Sequence, residues 1–165
     1  MRYFLDTEFR EPDGDYYLEQ VELISLGIVS ADGREFYAVS SEFDESKCGP
    51  WLQANVLAHL GDTPRVSQAT MRAAVRGFVG EGGAHPQFWG YYADYDWYLF
   101  CRMMGGWFGL PKTWPKLCRD VAQYQEDMAC PTLPSAADFQ PAHNALTDAR
   151  WTRAAWERVE AWRKK

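Results

Sequence analysis

Polar and apolar positions alternate at the start of the chain. Over residues 2–9, Phe4, Asp6 and Glu8 fall on one face of a predicted strand, because strand side chains point to its two faces in turn. Residues 10–19, REPDGDYYLE, are polar and carry Pro12 and Gly14, which predicts a loop. Residues 20–30, QVELISLGIVS, are apolar on both faces and predict a buried strand. Asp32-Gly33 then predicts a hairpin with a two-residue turn, and REFYAVS (34–40) the returning strand. One helix is predicted over about 50–60, after Pro50. A second runs from Ser67 to Val79, with Met71, Ala74, Val75 and Phe78 at helical spacing and Gly80, Gly82 and Gly83 ending it. QFWGYYA (87–93) reads as the next strand. Asp94 is a natural N-cap for a helix near 95–105, stopped by Gly105-Gly106. A short strand at 116–121 leads into a helix near 121–129. Pro131, Pro134 and Pro141 make 130–142 a loop, and the last helix runs from about Asn144 to the end. Its apolar stripe is Trp151, Ala155, Val159 and Trp162.

This order predicts an α/β fold. The first three strands form antiparallel neighbours in a mixed sheet, and helical crossovers join the later ones. No internal repeat, low-complexity tract or linker interrupts residues 1–165, so a single domain is expected. Its length suffices for a sizeable core. No run of about 18 apolar residues predicts a membrane span. Acids at Asp6 and Glu8 interrupt any signal-peptide pattern. Cys48, Cys101, Cys118 and Cys130 show no CxxC and no paired spacing with histidine. They read as reduced, mostly buried thiols of a cytoplasmic protein.

The net charge of −6 argues against a non-specific nucleic-acid binder. Acids gathered to hold cations would overstate that repulsion, since bound divalent ions reverse the local charge. Basic residues collect near the C-terminus, at Arg150, Arg153, Arg158, Arg163, Lys164 and Lys165. They fit either phosphate contacts or a solvated helix face.

Three clusters carry candidate chemistry. Asp6 and Glu8 are two residues apart on a strand, which sets their Cα atoms roughly 6–7 Å apart with side chains pointing the same way. Two such carboxylates cannot both stay ionised unless positive charge lies between them. A hard divalent cation meets that need, whereas a solvated strand end is the plainer explanation. His143-Asn-Ala-Leu-Thr-Asp148 marks the junction of the Pro-rich loop with the last helix. On one helix the two end residues would stand about 140° apart. His143 is therefore expected on the loop or at the helix entry, with Asp148 on the first or second turn. Asp94 and Asp96 occupy a strand–helix junction, the carboxyl end of a strand where α/β sheets bind ligands.

An Asp-x-Glu on the first strand, an Asp at a strand–helix junction and His-x4-Asp near the C-terminus together resemble the DEDDh 3'-5' exonucleases. That superfamily includes oligoribonuclease, RNase T and the proofreading subunit of the bacterial replicative polymerase. The resemblance runs from Asp6 to Asp148 and implies a ribonuclease H-like mixed β-sheet. It further implies that Asp6, Glu8, Asp96 and Asp148 hold two divalent ions, Mg2+ or Mn2+. His143 is then the general base, and nucleoside 5'-monophosphates leave from the 3' end. Asp96 rather than Asp94 matches the family's middle acid, because Tyr95 precedes it and Leu99 and Phe100 follow at helical spacing; Asp94 is left as the cap. Two residues depart from the family pattern. Tyr92 stands where an Asn is common, and Phe9 follows the acids where many members have Thr or Ser. Both are candidate substrate-binding residues.

Residues 88–100 contain eight aromatics: Phe88, Trp89, Tyr91, Tyr92, Tyr95, Trp97, Tyr98 and Phe100. Most are expected in the core, with Tyr92 and Phe9 as the exceptions beside the acids. The compact form resembles stand-alone ribonucleases, so the RNA 3' end is the favoured partner. Such members often form homodimers, for which Trp107, Trp114 and Trp156 are candidate contacts. The alternatives are a DNA exonuclease of the same fold and a non-cutting module that binds 3' ends. A metal-free acid/base hydrolase would leave His143 and Asp148 unexplained.

Overall fold

The computed structural model describes residues 1–12, 14, 17, 20–80 and 85–165. Half of the polar loop at 10–19, together with Gly82 and Gly83, lies outside them. Among the described residues, a six-stranded sheet is flanked by five α-helices. In chain order these are β1 (Arg2–Arg10), β2 (Glu22–Ser30), β3 (Glu35–Ser40), α1 (Pro50–Asn55), β4 (Arg65–Val66), α2 (Gln68–Val79), β5 (Gln87–Gly90), α3 (Asp94–Met103), β6 (Cys118–Asp120), α4 (Val121–Asp127) and α5 (Ala145–Arg163). The spatial order is β4-β3-β2-β1-β5-β6. β1 and β3 run antiparallel to β2, while β5 is parallel to β1 and β6 to β5. This is the mixed sheet that the element order predicted, with β4 added as a two-residue edge strand parallel to β3.

Alternation along β1 sorts its side chains between two cores. Tyr3 and Leu5 join Phe88, Met71 and Val75 of α2, and Trp97, Phe100 and Met103 of α3. Phe4 faces the other way and packs with Trp89, Val121 and Ala155, its ring 5.6 Å from that of Trp156 on α5. Helices thus cover both faces, which explains why β2 is apolar on both sides. A register shift between Glu8 and Phe9 leaves Ile24 of β2 unmatched, since Glu8 faces Ser25 and Phe9 faces Leu23. The extra residue lets Leu23 and Leu26, three apart, reach the same core.

Several elements differ from the sequence reading in instructive ways. The hairpin forms, but its loop is Ala31-Asp32-Gly33, closed by Ser30 N–H donating to Arg34 O; only Gly33 takes a positive φ, +91°. The helix expected to 60 stops at Asn55 and resumes as one tight turn at Leu57–His59. The long Pro-rich loop contains a tight turn at Ala136–Asp138. Asp94 is not a cap: Ala93 occupies that position without a side-chain hydrogen bond, and Asp94 is an exposed acid in the first turn of α3. There it still faces the positive end of the helix. Trp114 is not a surface contact, and Trp156 is half-buried. Trp114 is buried with its indole N–H donating to Gly80 O, and Trp156 packs on Phe4; only Trp107 of the three is exposed. The four cysteines are free thiols, three of them buried. Among the described residues no helix is long and apolar enough to cross a membrane.

Candidate active site

The parallel ladder between β1 and β5 ends at Phe4 and Trp89. β1 runs on beyond it, so Asp6 and Glu8 project over the carboxyl end of β5, where the chain turns into α3. Asp96, on the first turn of α3, is 7% exposed and reaches back to β1. One of its carboxylate oxygens accepts from both the Thr7 backbone N–H, at 2.9 Å, and the Thr7 hydroxyl, at 2.6 Å. Thr7 points away from Asp6 and Glu8 on the strand, so it grips α3 while its neighbours face the crevice. Nothing in a lone threonine between two acids announces this clasp.

The other wall is built from the start of α5. Asp6 pairs with Gly27 across the β1–β2 ladder. A Cβ on Gly27 would lie 2.2 Å from the backbone oxygen of Ala145, the first residue of α5. The missing side chain lets the helix end sit against the sheet, which brings Asp148 within range of Asp6 and Glu8. An isolated glycine in an otherwise apolar strand is a legible signal of close backbone approach. Asn144 caps α5 by accepting from Thr147 N–H at 3.2 Å. Its amide donates to His59 O at 3.0 Å and to the Tyr37 hydroxyl at 3.3 Å, tying the helix entry to β3 and to the tight turn at Leu57–His59.

His143 immediately precedes that cap, as expected, and does not share a helix face with Asp148. It is exposed, with φ +57°. The described non-glycine residues with positive φ are Tyr92, Ala129 and His143, so two of the three are candidate site residues. Strain of this kind is retained where surrounding structure demands it. The His143 ring stands edge-on to Trp51, centroids 4.9 Å apart. Ligand atoms of Glu8, His143 and Asp148 all lie within 4.8 Å of one another.

Electrostatics follow from this crowding. Burial, then the charges of Asp96, Glu8 and Asp148, hold the Asp6 carboxyl well above the usual range. Glu8 is pushed up to about 8, first by burial and then by Asp148 and Asp96. Asp96 is raised to about 6 by burial, against the Thr7 hydrogen bonds that favour its charge. Asp148 is raised by burial, offset in part by His143 and by backbone N–H groups of His143 and Asn144. Four oxygen-donor groups with too much negative charge for a buried space fit hard divalent cations. Asp6, Glu8, Asp96 and Asp148 are the residues that could hold them. Asp94 is exposed and does not shift any of these carboxyls.

Of the two candidate substrate residues, Phe9 stacks on Tyr95, rings 5.1 Å apart and 3° from parallel, and lines a cavity of about 350 Å³ with Glu8, Glu11, Trp51 and Leu52. Tyr92 is 72% exposed beside the crevice. Of the eight clustered aromatics, Phe88, Trp89, Trp97 and Phe100 are buried, as expected of core residues. Trp51 escaped the sequence reading because α1 is far from the acids along the chain. Its exposure at the start of a short helix is visible only in the fold. The C-terminal arginines are engaged within the chain: Arg150 with Glu35, Arg153 with Glu157, Arg163 with Glu160, and Arg158 with Thr132.

Comparison with known proteins bears on what this arrangement is. Residues 1–160 match the model of the family described as the 3'-5' exoribonuclease Rv2179c-like domain. Two curated relatives, the 3'-5' exoribonucleases Rv2179c and MT2234.1, come from the H37Rv and CDC 1551 strains of Mycobacterium tuberculosis. Each is 39% identical over 156 residues, spanning 91% of this chain and 88% of the relative. A match of this extent covers every strand and helix that carries the candidate residues, and the chain belongs to the Rv2179c-like 3'-5' exoribonuclease domain family.

Proposed function

We propose that the protein is a divalent-metal-dependent 3'-5' exoribonuclease of the DEDDh type, acting from the 3' end of RNA and releasing nucleoside 5'-monophosphates. The observation that carries this reading is the convergence of four carboxyls, all raised above their ordinary range, on one sheet edge beside an exposed histidine. The names of the relatives support the choice of substrate. Asp6, Glu8, Asp96 and Asp148 hold two Mg2+ or Mn2+ ions. Bound there, the cations supply positive charge and Lewis acidity at the scissile phosphate. His143 takes the proton from the attacking water, whose oxygen forms the new bond to phosphorus as the bond to the penultimate 3' oxygen breaks. Its exposure gives it access to solvent for discharging that proton. Trp51 and Phe9 form the walls for the terminal base, and Tyr92 offers a further aromatic surface to the RNA.

The test is digestion of matched 5'-labelled RNA and DNA oligonucleotides with Mg2+ or Mn2+, alongside EDTA. The expected result is stepwise shortening of RNA from its 3' end, abolished by EDTA. Asp96→Asn removes the activity and Asp94→Asn retains it. A folded preparation that binds RNA but leaves it intact with either metal would indicate a binding module instead. Faster shortening of DNA would move the substrate to DNA.

A further inference from the structure

His59 closes the tight turn at Leu57–His59 and is half-buried. It meets the loop before α5 at two points. Its ring nitrogen Nδ1 lies 3.2 Å from Ala142 O, and its own carbonyl accepts from the Asn144 amide at 3.0 Å. These contacts fall on the residues immediately before and after His143. A carbonyl oxygen only accepts, so Nδ1 of His59 carries a proton and donates. The turn is itself fixed, because Val56 and Leu60 on either side of it are buried with Ile24, Val39 and Phe43. The two contacts have different consequences. Asn144 also caps α5 through Thr147 N–H, and its amide reaches the Tyr37 hydroxyl as well. The start of α5 is thus held without the His59 ring. Ala142 lies outside the helix. Its carbonyl belongs to the peptide bond that enters His143, so pinning that oxygen restrains the φ of +57° directly. A non-glycine residue keeps such a φ only where its surroundings impose it.

We propose that His59 is a positioning residue for His143. Its ring N–H, donated to Ala142 O, holds the main chain so that the His143 imidazole stays beside Glu8 and Asp148. The inference rests on the exoribonuclease reading and deepens it. Trp51 touches the His143 ring, whereas His59 holds the backbone that carries it. An exposed base needs such a hold, because its side chain has little packing of its own to fix it. A shift of about 1 Å in a catalytic group is enough to cost up to about 10²-fold in rate.

The experiment measures kcat and KM on one 5'-labelled RNA for His59→Ala and His59→Asn, each with and without His143→Ala. His59→Ala is expected to lower kcat about 10- to 10²-fold and to leave KM within about twofold. His59→Asn, whose amide nitrogen stands close to the place of Nδ1, should recover most of that loss. With His143→Ala already present, His59→Ala should cost nothing further, since no base remains to be positioned. His59→Phe keeps a ring without the donor and takes the place of His59→Ala if that variant melts early. Thermal stabilisation by Mg2+ should be unaltered in every His59 variant. Full kcat without the donor, a loss confined to KM, an equal loss with and without His143, or a lost Mg2+ response overturns the inference alone. If the unaltered protein shortens no RNA, the exoribonuclease reading falls and takes the role of His59 with it.

Discussion

Asp96 and His143 lie at one sheet edge, yet their surroundings differ in nearly every respect. Asp96 is 7% exposed, sits on a regular helix and is clasped twice by Thr7. His143 is exposed, has φ +57° and has a ring contact with Trp51. The difference matches two chemical tasks. Holding cations needs carboxylates fixed close together in a poorly solvated space, where repulsion between them raises affinity for positive charge. Moving a proton to and from water needs a group that water can reach. The backbone around His143 is nonetheless anchored. Ala142 O meets the His59 ring at 3.2 Å, and Asn144 on the other side is tied to His59 O. The histidine is thus an exposed ring on a held main chain.

The largest effects expected from breaking this contrast are on rate. Glu8→Gln should lower the rate of RNA shortening by about 10³-fold, and His143→Ala by about 10²–10⁴-fold. Rates alone do not separate the two halves; thermal stability does. In EDTA, Glu8→Gln should raise the melting temperature, because it removes one of several repelling buried acids. His143→Ala should leave stability within about 0.5 kcal/mol, and Mg2+ should still stabilise it. Loss of the Mg2+ response in His143→Ala would make the histidine a metal ligand alongside Glu8 and Asp148, a role that their mutual distance of under 4.8 Å permits.

The next effect is on how stability depends on pH. Glu8 moves from 4.5 to about 8 on folding and Asp96 from 3.8 to about 6. The folded, metal-free chain therefore binds more protons than the unfolded one, and the stability these groups contribute falls as pH rises through those values. Asp32, Glu22 and Glu35 are shifted down by their partners, so their contributions fade only toward more acid pH. Melting in EDTA should decline from about pH 5 to pH 8, and Mg2+ should flatten or reverse that slope by favouring the ionised acids. A melting temperature in EDTA that climbs over this range would mean that burial and mutual repulsion do not raise these acids.

How much of this was legible in the sequence depends on how local each cause is. Period-two alternation gave Asp6 and Glu8 a common face, and loop-to-helix signals located His143 and Asp148. Both depend on neighbours in the chain, and the structure brings the four together. Asp96 was separated from Asp94 by a family pattern, whereas the physical reason, Thr7, lies 89 residues away. Local reasoning also made Asp94 a cap, because nothing in DYD reveals that α3 starts one residue early, behind the tight contact of Gly90 with Ala93. Trp51 was beyond reach for the same reason: it meets the site only through tertiary packing. The hairpin turn failed differently. Asp-Gly identifies the turn, but the length of its loop is set by pairing of the flanking strands.

Gly27 joins the two halves and gives the smallest of these effects with the clearest geometry. It pairs with Asp6 on one side and supports the first residue of α5 on the other. A methyl group there would sit 2.2 Å from Ala145 O and 2.4 Å from Leu146 N, both backbone atoms that cannot rotate aside. Either the helix start lifts or β2 bends, at a cost of about 1–3 kcal/mol for an overpacked site. Lifting α5 moves Asp148 away from Asp6 and Glu8 while leaving Asp96 clasped by Thr7. Gly27→Ala should therefore weaken Mg2+ stabilisation and slow RNA shortening, and it should also lower the apparent pKa of Glu8, whose largest charged neighbour is Asp148. Urea unfolding, Mg2+ titration and the pH dependence of melting would be read on one preparation. A variant that loses stability but keeps full metal response and unaltered pH dependence would show that α5 holds its place without this contact, and that the acid half owes nothing to Gly27.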